Sequence, residues 1–221
     1  MNRVPFGVDE WYHCYTRGVD KRRTFQSAAD YRRFMQILYL ANSADPVHRS
    51  NLGESHHAVF TKKRGVPLVA IAAYCIMPNH FHLLIREVRE GGIVKFMQKV
   101  GTSYAMYFNI KNQRVGNLFV KPFRSRHIDG DNYWHSVAQY IHLNPAEIYD
   151  PKWKEGRIRN MSDLEQWLMQ YPYCSLTDYA NTPRTESVIL DIEASSVIRD
   201  ATPPLRSILG DAQEYYRNLT I

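Results

Sequence analysis

The sequence has no long apolar run, since no window approaches the roughly 18 consecutive apolar residues expected of a membrane span. Residues 1–7 also lack the apolar stretch of a signal peptide. The three cysteines, Cys14, Cys75 and Cys174, form no CxxC pair, so neither a cysteine-rich zinc module nor a disulfide framework is indicated. We therefore expect a cytoplasmic protein of a bacterial-type cytosol, without membrane association.

Acidic residues are scarce in the first two thirds of the chain. Residues 1–150 hold 20 lysines and arginines against 12 acidic residues, a net charge of +8, whereas residues 151–221 hold 8 against 10, a net charge of −2. A concentrated positive charge suits a polyanionic partner, because neutralising phosphates releases condensed counterions. Charge alone leaves an ordinary solvated basic surface as an equal alternative.

The hydrophobic pattern predicts an α+β protein of about 180 residues with an appendage. Strands are predicted at 11–17, 68–76, 80–85 and 123–128, and helices at 28–41, 93–110 and 131–143. This order resembles a ferredoxin-like, split βαβ plan, with a mainly antiparallel sheet and helices packed on one face. We expect a first domain at 1–180 containing a long surface loop at 42–67, and an unassigned C-terminal extension at 181–221 with a short helix around 203–218.

Two histidines open the second strand of a predicted hairpin. His80 and His82 flank Phe81 directly after the turn Met77-Pro78-Asn79. Residues two apart on a strand project from the same face, so both imidazoles are placed to hold one divalent ion while Phe81 points into the core. An isolated HxH pattern arises often by chance, and two surface histidines without metal are the plainer interpretation. The apolar strand, the tight turn and the basic lobe favour the metal site.

A tyrosine and an asparagine lie four residues apart on the predicted helix 131–143. Tyr140 and Asn144 share a helix face with Val137 and Ile141, which must point inward. Pro145 disfavours helix at the residue before it, so the helix is expected to end at Asn144. Spacing alone favours a core tyrosine and a helix-ending asparagine. If this helix faces the histidine strand, however, a phenol and an amide oxygen converge with two imidazoles.

These residues resemble those of the HUH single-strand transposases with one catalytic tyrosine, above all the REP-associated tyrosine transposases. The resemblance runs from about Tyr12 to Tyr179, and the MPNHFHLL and YIHLNP runs are specific in combination. The matching segments are 12–14, 17–18, Phe25, 77–84, Tyr104, 108–109, 116–119, 140–145 and 173–176.

The resemblance implies a fold of the HUH nuclease type and a role for each site residue. His80 and His82 match the metal-binding histidines, Tyr140 matches the nucleophile, and Asn144 matches a polar third ligand. The implied reaction cleaves single-stranded DNA at hairpin-flanked sites through a 5′-phosphotyrosine and later rejoins it. Imidazole and amide ligands suit Mn²⁺ somewhat better than Mg²⁺, although Mg²⁺ is more abundant in cells.

Single-stranded or hairpin DNA is the implied partner, and the basic first lobe supplies candidate contacts. The candidates are Arg17, Arg22, Arg23, Lys121, Arg124 and Arg126, with Lys21, Lys95 and Lys99 as further ones. Arg124 and Arg126 are favoured among them, because their strand is expected to lie next to the strand of the histidines. Any single charge is more often a solvated surface group.

Two other functions are considered beside the transposase. One is a domesticated protein that binds hairpin DNA without cutting it. The presence of all four site residues argues against a loss of catalysis but does not exclude this alternative. A metal-binding structural protein unconnected with DNA is hard to reconcile with the Tyr140–Asn144 face. The sequence leaves open the DNA sequence recognised, a monomeric or homodimeric state, and use of Tyr140 in its own subunit or in a partner's.

Overall fold

A computed structural model of the chain describes residues 5–46, 55–155, 158–179, 184–201 and 204–219. The strands in these ranges are β1 (Trp11–Arg17), β2 (Val69–Met77), β3 (His80–Glu87) and β4 (Arg124–Ile128). The α-helices are α1 (Ala28–Ala41), α2 (His56–Phe60), α3 (Gly92–Lys111), α4 (Asp131–Leu143), α5 (Ala146–Tyr149), α6 (Met161–Gln170), α7 (Leu176–Tyr179), α8 (Ile192–Ala201) and α9 (Leu205–Leu219). Short 3₁₀ helices span Val19–Lys21, Trp153–Glu155 and Thr185–Ile189.

The four strands form one antiparallel sheet in the order β2-β3-β1-β4. The predicted α+β class and antiparallel sheet are therefore confirmed, and the element order is that of a split βαβ repeat. This order corrects one expectation, because β4 does not lie beside the histidine strand β3. The strand between them is β1, since the hairpin partner of β3 is β2 and its other edge is taken by the first strand of the chain.

Helices cover both faces of the sheet, whereas the sequence predicted them on one face. α1 and α3 bury Phe34, Phe96 and Tyr104 against Phe81, in what we call the α1–α3 core. α4 and later helices bury a second set of apolar residues on the opposite face, including Trp134 and Leu84; we call this the α4 core. The reason for the second layer is that β2 is buried at every position, so neither of its faces can be left to solvent.

Two segments that the sequence analysis described as a surface loop and as an unassigned extension contribute to the fold. Within 42–67, where a long surface loop was predicted, α2 buries Val59 and Phe60 in the α1–α3 core, while residues 47–54 lie outside the described part. Within 181–221, α8 and α9 bury Ile198 and Leu209 in the α4 core; residues 180–183, 202–203 and 220–221 lie outside the described part. α9 agrees with the short helix predicted around 203–218.

The outer edge of β2 is covered by a passing segment instead of another strand. Ile76 N donates to Tyr173 O over 2.9 Å, and Ser175 N donates to Tyr74 O over 2.9 Å. This pairing satisfies backbone groups that an open sheet edge leaves exposed. β4 forms the opposite edge, and its Arg124 and Arg126 are solvent-exposed. In the described ranges, no helix combines the length and apolarity that crossing a bilayer requires.

Candidate active site

The β2–β3 hairpin presents two imidazoles on the face of the sheet that carries the α4 core. His80 is partly exposed and His82 is buried, while Phe81 between them is buried in the opposite, α1–α3 core. The two imidazole ring centroids lie 5.0 Å apart. The turn residue Asn79 fixes the first ring, because its Oδ1 lies 2.6 Å from His80 Nδ1. The predicted placement of the two imidazoles on one strand face is therefore confirmed.

Helix α4 brings the predicted tyrosine and asparagine to this pair. The ring centroid of Tyr140 lies 5.6 Å from that of His82 in the same chain. Asn144 is buried, its Nδ2 donates to Tyr140 O over 2.8 Å, and its side chain lies within hydrogen-bonding reach of His80. The four residues singled out from the sequence thus meet in space.

Two local details of α4 differ from the sequence prediction. Tyr140 is not buried with the apolar stripe but is 39% exposed, because it lies at the rim of the helix–sheet contact. Asn144 keeps helical dihedral angles (φ −51°, ψ −41°) although a proline follows. The chain continues from Pro145 directly into α5, and Asn144 O accepts a hydrogen bond from Glu147 N over 3.2 Å. An exposed phenol beside a buried amide suits a site open to a polymer.

A third imidazole, from β1, joins the pair. His13 Nε2 lies 2.8 Å from His82 Nδ1, and its ring centroid lies 5.9 Å from that of Tyr140. The neighbouring Tyr15 stacks on His82 at a centroid distance of 5.5 Å and packs at a tilt against His13 at 4.9 Å. His13 was not predicted as a site residue from the sequence. Its alternation with Trp11 and Tyr15 places the three side chains on one strand face, but only the pairing of β1 with β3 shows that this face meets the histidines.

Burial keeps the imidazoles of the site neutral. Desolvation lowers the pKa of His80 and holds that of His82 well below its usual value, with neighbouring His13 and His80 acting in the same direction on His82. Desolvation and the nearby Arg126 lower the pKa of His13 to about 4. A neutral imidazole has a free lone pair, and this is the form that ligates metals.

The residues at the site include donors that could hold a divalent ion. Within the described part of the chain, no three or more His, Cys, Asp or Glu side chains are arranged to hold a metal. A site built on His80 and His82 would need a further donor, and Asn144 is the predicted residue that offers an amide oxygen. The Nδ1 atoms of both histidines already have partners, so their Nε2 atoms are the available ligands. A structural zinc site usually has four Cys or His ligands, which this set does not supply.

Three of the predicted DNA-binding arginines lie on the face of the sheet that carries the histidines. The side chains of Arg17 on β1 and of Arg124 and Arg126 on β4 are exposed. Arg17 pairs with His80 across the strands, and Arg126 pairs with His13. Positive charge therefore borders the site on two sides.

The other predicted basic residues lie farther from the histidines or are already engaged. Arg22 donates to Asp20 over 3.0 Å and lines, with Arg23 and Arg114, a cavity of about 340 Å³. Lys121 precedes β4 and is exposed, as is Lys21. Lys99 donates to the backbone carbonyls of Ser43 and Asp45, and Lys95 lies on the same helix, α3, across the sheet from the histidines.

The competing tyrosines have structural roles. Tyr104 is fully buried and donates to Thr24 O over 2.7 Å, and Tyr107 donates to Asp30 over 2.9 Å. Tyr74 is also fully buried and accepts a hydrogen bond from Arg184 over 2.6 Å. His142, left unassigned from the sequence, lies 2.9 Å from Ser175 Oγ and away from the site.

The fold and this site define a ferredoxin-like α+β protein with a histidine pair beside an exposed tyrosine. The family model of IS200-like transposases matches residues 31–144, more than half of the 221 residues. The chain therefore belongs to the IS200-like transposase family, a family of DNA-processing enzymes. The matched range includes His80, His82, Tyr140 and Asn144 but begins after β1.

A solved structure of a REP-associated tyrosine transposase bound to a REP hairpin aligns with this chain at a TM-score of 0.48 and 11% identity. The alignment covers 84% of this chain and 89% of that one. Among curated proteins, none matches the chain significantly.

Proposed function

We propose that this transposase cleaves and rejoins single-stranded DNA at hairpin-flanked sites, with Tyr140 as the nucleophile. The observation that carries the proposal is the 5.6 Å between the ring centroids of Tyr140 and His82 within one chain. It supports a tyrosine acting at the histidine pair of its own subunit. A hairpin substrate is favoured because the REP-associated transposase was solved bound to a REP hairpin and because basic residues border the site in this chain.

In the proposed reaction the phenolic oxygen of Tyr140 bonds to the scissile phosphorus. The bond between phosphorus and the 3′ oxygen breaks, so a 5′-phosphotyrosine forms and the leaving strand takes up a proton as a 3′-hydroxyl. Attack by another 3′-hydroxyl reverses the step and releases the tyrosine. Because the covalent intermediate conserves the phosphodiester bond energy, rejoining requires no ATP.

His80, His82 and Asn144 would hold the divalent ion, Mg²⁺ or Mn²⁺. Such an ion polarises a nonbridging phosphate oxygen and offsets the charge that develops in the transition state. The protein's own contribution is geometric. The buried histidines keep their lone pairs free, Asn144 is anchored on Tyr140 O, and the exposed phenol stays accessible to a DNA strand. Arg17, Arg124 and Arg126 would hold the backbone of that strand.

The test is covalent capture of labelled single-stranded hairpin oligonucleotides in Mn²⁺ or Mg²⁺. The protein should form an adduct that survives a denaturing gel, and a chelator should prevent it. Tyr140→Phe should yield no detectable adduct while still binding DNA, because only the nucleophilic oxygen is lost. Tyr149→Phe is the matched control, since Tyr149 is 37% exposed in the helix that follows and should react normally.

The same gel separates the proposal from the non-cleaving alternative. Binding without any adduct, across a broad panel of hairpins and both ions, favours a protein that only recognises hairpin DNA. An adduct that persists in Tyr140→Phe contradicts the assignment of the nucleophile but not the enzyme class.

A further inference from the structure

The contact between His13 and His82 joins two histidines that lie 69 positions apart in the sequence. His13 Nε2 and His82 Nδ1 are 2.8 Å apart, and the two side chains are 8% and 5% exposed. Buried from water, each nitrogen depends on the other for its hydrogen bond. Tyr15 stacks on the ring of His82 and packs at a tilt against the ring of His13, and so restricts the rotation of both rings.

The direction of this hydrogen bond decides whether His82 is able to bind a metal. A neutral imidazole carries its proton on one nitrogen and a lone pair on the other. If His82 Nδ1 donates and His13 Nε2 accepts, the lone pair of His82 lies on Nε2, free for an ion. If His13 donates instead, the proton of His82 must be on Nε2, which then has no lone pair to offer.

The hydrogen bond of His80 shows which nitrogen carries the proton in the other histidine of the pair. Its Nδ1 lies 2.6 Å from Asn79 Oδ1, and the other end of that carboxamide, Nδ2, donates to Lys21 O over 3.3 Å. A carboxamide oxygen only accepts, so His80 must carry its proton on Nδ1. Its lone pair is therefore on Nε2, as a ligand to a shared ion requires. His82 matches this arrangement only if His13 acts as the acceptor.

We propose that His13 is a positioning residue, whose Nε2 accepts a hydrogen bond from His82 Nδ1 and thereby keeps His82 Nε2 available for a divalent ion. The proposal rests on the proposed function, because it assumes an ion at His80 and His82. Metal-binding histidines commonly donate their second N–H to a fixed acceptor, and losing that acceptor typically lowers metal affinity about 10–100-fold. The acceptor here is itself an imidazole.

The first test is the affinity of the full-length, DNA-free protein for Mn²⁺, measured by titration calorimetry or by the EPR signal of free Mn²⁺. His13→Leu should weaken binding about 10–100-fold, because His82 loses its acceptor. His13→Gln should restore most of the affinity, since its amide oxygen is able to accept the same hydrogen bond. Equal affinity in wild type and His13→Leu, or equal losses in His13→Leu and His13→Gln, would overturn the proposal.

A matched control separates positioning from general loosening of the core. His142 is also a buried histidine with one side-chain partner, Ser175 Oγ, but it does not face the site. His142→Leu should lower thermal stability as much as His13→Leu does and leave Mn²⁺ affinity unchanged. If His142→Leu weakens Mn²⁺ binding as much as His13→Leu, the effect is structural and the proposal fails.

The second test needs no metal and so distinguishes failure of this proposal from failure of the proposed function. Nitrogen-15 NMR of labelled histidines reports which nitrogen of His82 is protonated, with the signals assigned by their loss in His82→Asn. We expect a proton on Nδ1 in wild type and in His13→Gln, and a shift towards Nε2 in His13→Leu. A protonated Nε2 in wild type, or no change in His13→Leu, overturns the proposal. A wild-type protein that binds no Mn²⁺ while showing this pattern would instead contradict the metal site itself.

Discussion

Burial divides the roles of the side chains that meet at the site. The imidazoles of His13 and His82 are buried, whereas the phenol of Tyr140 is 39% exposed. Side chains that bind an ion are best held rigidly and away from water. A nucleophile that attacks a DNA strand must instead be accessible to that strand. The buried histidines and the exposed Tyr140 on α4 are consistent with the proposed roles of ion ligand and nucleophile.

The buried His142 predicts a pH dependence of stability that is separate from the site. Desolvation lowers its pKa from the ordinary 6.5 to about 3, so the folded protein holds it neutral. Its contribution is fully present above about pH 6.5 and is lost as the pH falls towards 3, because the unfolded chain binds the proton first. Between pH 6.5 and 5, wild type should lose about 1.6 kcal/mol more in total than His142→Gln in guanidinium unfolding, because the unfolded histidine is half protonated at pH 6.5 and almost fully protonated at pH 5.

Acidic groups with a lowered pKa titrate below the range from pH 6.5 to 5 and do not contribute to this difference. Burial raises the pKa of Glu186, but its hydrogen bond with His56 and other contacts bring the net pKa below the ordinary 4.5, so it titrates lower. The other buried histidines are present in both wild type and His142→Gln, so their effects cancel when the two unfolding free energies are subtracted. Parallel stability curves for wild type and His142→Gln would contradict the neutral burial of His142.

The site residues differ in how far the sequence determines them. His80 and His82 follow from the two-residue period of a strand, and Tyr140 and Asn144 follow from the turn of a helix. Both are local rules. His13 was not found, because its partner depends on which strand lies next to β3, and strand order is a long-range property. The same gap caused the misplacement of β4 beside the histidine strand.

At the scale of elements, the strongest periodic patterns gave accurate bounds. β1, α1 and α4 have the bounds that the sequence predicted, and Gly18 and Asn42 interrupt well-defined patterns at the C-terminal ends of β1 and α1. α8 was not predicted because it has few apolar residues, and only a narrow stripe of them is buried against the α4 core. A helix of this kind is stabilised by its tertiary contacts more than by its own sequence.

The C-terminal helices should therefore contribute measurably to stability. Leu209 of α9 is fully buried in the α4 core, which also holds the inner face of α4. Leu209→Ala should lower the free energy of unfolding by about 2–4 kcal/mol, because it removes buried apolar contacts and leaves a cavity. Chemical denaturation checks this value.

The control for this prediction lies on the neighbouring helix. Ile192 of α8 is 85% exposed, so Ile192→Ala should change the free energy of unfolding by less than about 0.5 kcal/mol. Similar small effects of both substitutions would mean that α9 does not pack as described.

At the scale of the whole molecule, basic residues lie on both sides of the sheet, so DNA contacts on one side can be tested against charges on the other. Arg124 and Arg126 lie on the open edge strand beside the site, whereas Lys95 lies on α3 across the sheet. Each phosphate contact to single-stranded DNA contributes about 0.7 to the slope of log affinity against log salt concentration. Replacing both Arg124 and Arg126 with Gln should therefore make that slope shallower by about 1.4.

Lys95→Gln is the control for the salt experiment, because it removes an exposed charge from the opposite side. Its slope should equal that of wild type in fluorescence anisotropy with a labelled single strand. An unchanged slope in the double arginine variant, or an equal change in Lys95→Gln, would show that DNA does not run along β4.

The position of the covalent bond to DNA tests the proposed role of Tyr140 directly. After reaction with a hairpin oligonucleotide and nuclease trimming, tandem mass spectrometry of the digested protein locates the residue that carries the nucleotide. We expect a phosphodiester bond to Tyr140, in the peptide that also contains His142 and Asn144. A nucleotide on any other of the 15 tyrosines, with Tyr140 unmodified, would contradict it.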